Sequence, residues 1–157
     1  MRRLLWIAAL SVVAPLALAA NSTPKDEAPT TTADSKDILS WKTLSQVEEV
    51  KLNDKLVPKF SAKITALDTK EVKLQGFMMP LEAGEKQKRF LLSANVPSCP
   101  FCMPGGPDSL VEVLCRKPIA FNMEPIVISG KLSVLKDDPT GLWYRVTDAV
   151  LVSEGKM

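Results

Sequence analysis

The chain contains no histidine among its 157 residues, and this absence excludes more chemistry than any single motif suggests. Histidine is the commonest general base near neutral pH and a frequent ligand of zinc and copper. A Ser-His-Asp triad therefore cannot form, and a metal site would need other ligands. The sequence also lacks a G-x-S-x-G, a Walker and a dinucleotide-binding motif. We predict from these absences that the protein is not an enzyme.

An excess of charge of one sign is also missing. The chain carries 20 basic and 18 acidic residues, without a cluster of either sign. Two of the basic residues, Arg2 and Arg3, lie in the predicted leader described below, so the mature protein is formally neutral. Affinity for nucleic acids and for anionic membranes depends on many Lys and Arg contacts. The balance predicts no nucleic-acid partner, and no membrane association once the leader has been removed.

Long apolar runs are limited to the first residues of the chain. Arg2 and Arg3 precede an apolar stretch, Leu4–Leu18, which is shorter than a membrane-spanning helix requires. Ala17-Leu18-Ala19 is a small-x-small site of the kind that signal peptidase cleaves. We predict a signal peptide at residues 1–19 and a periplasmic or secreted protein, with an uncleaved anchor as the alternative. An exported protein reaches an oxidising compartment, where a disulfide can form.

Large apolar residues are also absent from residues 20–36, which are rich in Thr, Ser, Pro and Ala. Such a segment cannot bury enough surface to fold, so we predict a flexible linker there. The remaining residues, 37–157, are predicted to form a single globular domain.

Two short helices are predicted at the start of this domain. The first would be capped by Asp37, and the second would begin at Pro58. Apolar residues recur at helical spacing in both segments: Ile38, Trp41 and Leu44 in the first, and Phe60, Ile64 and Leu67 in the second.

After these helices the apolar period changes from helical spacing to two. Alternation predicts strands over residues 71–80, 89–96, 110–115, 126–134 and 143–152, separated by turn-forming residues. Helices do not alternate with the strands, so we predict an α+β fold with a small antiparallel sheet of about five strands. The sequence leaves open whether this sheet is a partly open OB-like barrel, an open sheet or a sandwich.

The residues with the most reactive chemistry lie in one loop. Cys99 and Cys102 form a C-x-x-C pair within residues 97–107, here called the cysteine loop, which also contains four prolines and two glycines. A redox site of the thioredoxin type needs a helix after the first cysteine. Pro104, Gly105, Gly106 and Pro107 cannot continue a helix, so this alternative is the weakest.

A metal site is a second interpretation of the same loop. Its candidate ligands are Cys99, Cys102, Met103 and Cys115. Zn would need a fourth strong ligand, whereas two thiolates and a thioether suit Cu(I). No resident cofactor is predicted, although Cu(I) or Zn is chemically compatible with these ligands.

A structural role is the third interpretation. A disulfide between Cys99 and Cys102, or between Cys102 and Cys115, would close the loop, and Cys115 could equally be a buried thiol. Proline-rich loops on a fixed scaffold often carry binding residues. We therefore predict partner contacts at Phe101, Met103 and Pro104.

The chain resembles a bacterial exported family that is classed as a domain of unknown function. The resemblance is carried by three segments, Gly76-Phe77-Met78-Met79-Pro80-Leu81, Phe90-Leu91-Leu92 and Gly130-x-Leu132-x-Val134, and by the cysteine loop. It implies a secreted or periplasmic accessory protein, with some relatives linked to metal-responsive or transport systems. Common members carry Cys-Ile-His before a polyproline run, so only the position of Cys99 transfers to this chain.

These observations lead to one leading function and two alternatives. The leading prediction is a non-enzymatic periplasmic accessory protein that binds an unknown protein partner, such as an envelope transport component, through the cysteine loop. The alternatives are a soft-metal binding or delivery protein and a thiol-disulfide redox protein.

Overall fold

The computed structural model describes residues 37–52, 55–97 and 104–154, and these form a mostly β structure with a few short helices. The predicted signal peptide and linker, residues 1–36, lie outside this range. Within the described ranges, no helix is long and apolar enough to cross a membrane.

Seven strands and two helices make up the described structure, whereas about five strands were predicted. A 3-10 turn, Pro107–Ser109, precedes the fifth strand. In chain order the elements are α1 (Trp41–Leu44), β1 (Val47–Leu52), β2 (Lys55–Phe60), α2 (Ala62–Thr65), β3 (Glu71–Pro80), β4 (Lys86–Ser93), β5 (Leu110–Ala120), β6 (Ile126–Val134) and β7 (Tyr144–Glu154).

Five of these strands close into a barrel with the order β3-β4-β5-β7-β6, in which β6 pairs with β3. The closed barrel is consistent with the OB-like alternative, although that alternative was predicted to be partly open. One neighbouring pair, β5 and β7, is parallel, with Glu112 opposite Arg145 and Val113 opposite Val146. The predicted antiparallel pairing is therefore confirmed for four of the five strand pairs of the barrel and is wrong for the pair of β5 and β7.

The predicted alternation is confirmed along β3, whereas the first five residues of β6, Ile126–Gly130, are all buried. In β3 the residues Val72, Leu74, Gly76 and Met78 are buried, and those between them are exposed or half-buried. The interior of the barrel is filled by such alternate residues from all five strands, including Phe90, Val111, Val113, Ile128, Leu132, Tyr144 and Val146. Burying these side chains is the main stabilising contribution to the fold.

β3 changes its pairing partner midway, and this change closes the barrel. Its first half pairs with β6 as far as Gly76, opposite Ile126, and its second half pairs with β4 from Phe77 onward, opposite Ser93. A Cβ atom on Gly76 would lie 2.6 Å from the backbone oxygen of Ser93. Only glycine allows the two backbones to approach this closely.

The first helix is shorter than predicted and begins at a different cap. Ser40 caps α1, because its hydroxyl accepts a hydrogen bond from the Lys42 amide at 3.2 Å, so the prediction that Asp37 caps the helix is wrong. Ile38 instead forms a parallel bridge with Lys73 on β3. Trp41 packs against the core, as predicted, and its indole Nε1 donates to the backbone oxygen of Gln75 at 2.7 Å.

The prediction of a helix beginning at Pro58 is also wrong. Pro58 lies in β2, opposite Glu49, in a separate hairpin formed by β1 and β2. A two-stranded hairpin has only edges, where proline is tolerated. The helix begins later, at Ala62, with Ser61 as its cap, and places Ile64 in the core.

A buried carboxylate on the outer face of the barrel joins three strands. Glu112 on β5 is only 2% exposed and lies between two guanidinium groups. Arg89 on β4 donates to its Oε1 at 2.7 Å, and Arg145 on β7 donates to its Oε2. Arg145 also contacts Asp138 in the β6–β7 turn at 3.4 Å. The hydrogen bond from the Thr140 hydroxyl holds the pKa of Asp138 below its ordinary value, and Arg145 adds to this effect.

Substituting Gly76→Ala tests the close approach at the change of partner. The added methyl group meets backbone rather than a flexible side chain, so we expect the free energy of unfolding to fall by about 2 kcal/mol. Urea denaturation measures this change, with Gln75→Ala on the exposed face of the same strand as the control. An equal effect of both variants would contradict the close-packing explanation.

Substituting Glu112→Gln tests the charge network. It leaves two arginines without their carboxylate, and we expect a loss of about 2–3 kcal/mol in the free energy of unfolding. The matched control is Glu48→Gln, which removes an exposed ion pair with Lys59 at 3.3 Å and should cost less than about 1 kcal/mol. Unfolding curves that shift equally for the two variants would show that the network contributes no more than a surface pair.

Candidate functional site

The cysteine loop lies within the connection between β4 and β5, at the end of the barrel where β5 begins. The structure describes residues 94–97 and 104–109 of this connection. Cys99, Phe101, Cys102 and Met103 fall outside the described residues, so the predicted disulfide, metal ligands and contacts at these positions stay predictions. The described residues on either side show how the loop is anchored.

Two hydrogen bonds join the two sides of this connection and two more fix its N-terminal side, and we call these four bonds the loop-base clamp. The amide of Ala94 donates to the backbone oxygen of Ser109 at 3.0 Å. The side-chain Nδ2 of Asn95 donates across the loop to the backbone oxygen of Pro104 at 2.9 Å. The buried Ser93 hydroxyl donates to the Asn95 oxygen at 2.8 Å and accepts from the Asn95 amide at 3.1 Å. The loop therefore leaves the barrel from a fixed pair of positions.

A second turn supports the C-terminal side of the clamp. The amide and the hydroxyl of Ser109 both donate to the backbone oxygen of Gly106, at 3.0 and 2.8 Å. A Cβ atom on Gly105 would overlap the Ser109 hydroxyl and approach Asn95 Nδ2 to 3.3 Å. A side chain at position 105 would therefore displace the Ser109 hydroxyl from its bond to Gly106. Pro104, one of the predicted contact residues, is half-buried beside this turn, whereas Val96 on the opposite side is 63% exposed.

Cys115 lies inside the barrel, away from the cysteine loop. It is a free thiol, 5% exposed, and it pairs with Ala149 on β7. It lies five residues along β5 from Leu110, a rise of roughly 17 Å. Burial raises the pKa of the Cys115 thiol from 9.0 to about 11. A protonated, buried thiol is a weak nucleophile and a poor metal ligand at neutral pH, which favours the structural interpretation of this residue.

Metal-ligating side chains do not gather elsewhere in the described part of the chain. Residues 37–52, 55–97 and 104–154 contain no group of three or more Cys, Asp or Glu side chains placed to hold an ion. The cysteine loop with its clamp is the candidate functional site because it carries the reactive pair Cys99 and Cys102.

Sequence reasoning identified the loop but missed the residues that position it. Ser93, Asn95 and Ser109 are ordinary polar residues in sequence, and none was singled out. The available signal was the Ser93-x-Asn95 spacing, since serine and asparagine side chains readily bond to nearby backbone groups at the ends of strands.

The raised pKa of Cys115 can be tested in a Cys99→Ser/Cys102→Ser variant, in which Cys115 is the remaining thiol. We expect negligible reaction with Ellman's reagent at pH 8 in the folded protein and full reaction in denaturant. Rapid stoichiometric labelling of the folded protein would contradict the burial of this side chain.

The same shift has a consequence for alkaline stability. Because the folded protein keeps the thiol protonated, Cys115 contributes stability below pH 9, and this contribution is lost as the pH rises through about 11. Between these pH values, the stability of the wild type should fall more steeply than that of Cys115→Ala. If urea denaturation shows that the wild type and Cys115→Ala lose stability equally as the pH rises, the pKa of Cys115 is not raised.

Comparison with known proteins places the chain in a family. A crystal structure of a DUF3299 family protein from Pseudomonas aeruginosa PAO1 is similar, with 22% sequence identity and a TM-score of 0.49, over 63% of this chain and 70% of that one. A comparison with curated proteins gives no match. The family model described as "Protein of unknown function (DUF3299)" matches residues 20–142, most of the chain. The predicted resemblance to a family of unknown function is thus confirmed at the level of the family, and the protein belongs to DUF3299.

Proposed function

We propose that the protein is an exported, non-enzymatic accessory protein that binds a protein partner through the cysteine loop. The loop-base clamp is the observation that carries this proposal. Asn95 and Ala94 fix the two ends of the connection by bonds to Pro104 and Ser109. A loop held in this way loses less conformational entropy when it binds, so more of its contact energy contributes to affinity.

The composition of the loop supports an apolar contact. Val96 is exposed next to the loop, and the sequence continues with Phe101 and Met103 between prolines. Aromatic residues and methionine are enriched at protein interfaces, and proline limits the conformations available before binding. The proposed partner therefore presents an apolar surface that receives Phe101 and Met103, with Pro104 at the edge of the contact.

The compartment is part of the same proposal. The leader-like sequence of residues 1–19 supports export, and the linker of residues 20–36 would let the domain reach a partner in the cell envelope. An envelope transport component is the class of partner that the family resemblance favours.

A soft-metal role is the second candidate function. The burial of Cys115 reduces the number of its candidate ligands. With Cys115 protonated inside the barrel, the ligands would be Cys99, Cys102 and Met103. Three sulfur ligands suit Cu(I), which accepts low coordination numbers. Loss of tight Cu(I) binding in Cys99→Ser/Cys102→Ser, with partner binding unchanged, would favour this role over the first.

The partner-binding proposal is tested by quantitative affinity purification from the native envelope. We expect Phe101→Ala/Met103→Ala to reduce recovery of the partner at least about tenfold, because truncating anchors at an interface commonly costs 1–2 kcal/mol each. The matched control is Phe121→Ala/Met123→Ala, which removes an exposed aromatic residue and an exposed methionine at the opposite end of the barrel. If both double variants recover the same proteins in the same amounts as the wild type, the cysteine loop is not the binding surface.

A further inference from the structure

A groove lies between β5 and β7 at the end of the barrel opposite the cysteine loop. The ladder between these parallel strands ends where Cys115 pairs with Ala149. Both strands continue, β5 to Ala120 and β7 to Glu154, and each keeps its other neighbour: β4 pairs with Ala120 and β6 pairs with Glu154. Across the described residues, the facing edges 116–120 and 150–154 have no ladder partner. We call the space between them the β5–β7 groove.

The β5–β7 groove has the size and lining of a binding site. Its volume is 530 Å³, within the range typical of ligand-binding clefts. Ile119 and Ala149 contribute buried apolar surface to it, whereas Val150 and Leu151 are 44% and 38% exposed. Two adjacent exposed aliphatic residues beside an unpaired strand edge are a combination that soluble proteins usually avoid.

The two edges of the groove are not equivalent. β5 carries Pro118, which has no amide hydrogen, and proline on an edge strand hinders the addition of another strand. β7 contains no proline between Val150 and Glu154. The edge of β7 is therefore the one able to accept a new strand, and its five residues span roughly 17 Å.

Charge on the β5 wall indicates what such a strand would carry. Arg116 and Lys117 line this wall, and both side chains are exposed. Arg116 faces Asp148 at 3.6 Å, whereas no ion pair joins Lys117 to another described residue. The single carboxylate of the lining, Glu154, lies at the far end of the β7 wall. An acidic side chain on the ligand would therefore be attracted to the β5 wall near Lys117.

We propose that an extended segment of a partner protein, with an acidic side chain among apolar ones, adds as a strand to β7 at residues 150–154. Backbone hydrogen bonds to β7 would supply affinity, contacts with Val150 on one face of the strand would hold the apolar side chains, and Lys117 would select the acidic one. This surface is separate from the cysteine loop, so the two proposals stand or fall independently.

The test uses an acetylated eight-residue peptide in which valine alternates with glutamate, titrated into the ¹⁵N-labelled protein. We expect saturable chemical-shift changes centred on the amides of residues 150–154. A matched peptide with lysine in place of glutamate should bind about tenfold more weakly. Two further analogues are N-methylated, one at the odd-numbered and one at the even-numbered amides of the peptide. An added strand bonds to β7 along one edge only, so every second amide of the peptide faces β7. One analogue should therefore lose binding and the other retain it.

Charge reversal provides the protein-side control. Lys117→Glu, an exposed substitution, should remove the preference for the glutamate peptide or invert it, whereas Lys131→Glu on β6 should leave the preference unchanged. Equal binding of the two peptides by the wild type, or insensitivity to N-methylation in both registers, would overturn the proposal. A concentration-dependent dimer that Lys117→Glu abolishes would also overturn it, since the occupant would then be a second copy of this chain.

Discussion

The sharing of β3 between two neighbours is the constraint on which the rest of the structure depends. Its first half belongs to the ladder with β6 and its second half to the ladder with β4, so one strand closes the barrel. The change of partner requires the backbones of Gly76 and Ser93 to lie almost in contact. Ser93 is also the buried anchor of the loop-base clamp. Closing the barrel and anchoring the cysteine loop therefore depend on the same residue.

A strand that changes partner leaves half of each edge without a neighbouring strand. The uncovered edge of β3 is occupied by another segment of the chain, whereas the gap between β5 and β7 is open among the described residues. On β3, the N-terminal segment covers the edge: the Leu39 amide donates to the Lys73 oxygen at 2.8 Å, and the Trp41 indole donates to the Gln75 oxygen. Between β5 and β7, no described segment fills the corresponding gap beyond Cys115. Covering an edge prevents unwanted pairing, whereas an open edge can bind an extended chain. Because its strand edges are open, the β5–β7 groove is a candidate binding surface.

The sequence predicted those strands whose two faces differ most in burial. β3 follows the alternation along its whole length, because one of its faces packs into the barrel, whereas β6 is buried continuously from Ile126 to Gly130. The β1–β2 hairpin was missed since most of its described residues are exposed or half-buried, so its sequence carries no period of two. The parallel pairing of β5 with β7 could not be predicted either, because it joins strands that are distant in sequence.

In the candidate site, too, the local sequence features could be predicted and the contacts between distant residues could not. Two cysteines three residues apart among prolines identify the cysteine loop without any structure. Its clamp depends on Asn95 reaching Pro104 nine residues away, a contact that composition does not reveal. Glu112 likewise looks solvent-facing in an alternating strand, and it is buried only because Arg89 and Arg145 converge on it from other strands. Long-range polar contacts of this kind position both features.

Hydrogen–deuterium exchange at the base of the cysteine loop tests most directly whether the barrel holds this loop in place. The informative amides are those of Ala94, Asn95 and Ser109, each of which donates a hydrogen bond within the connection. If the clamp is part of the barrel, these amides should exchange as slowly as the neighbouring amides of β4 and β5. Exchange at the rate of an unstructured peptide, with the β4 and β5 amides still protected, would contradict a fixed loop and the binding mode that depends on it.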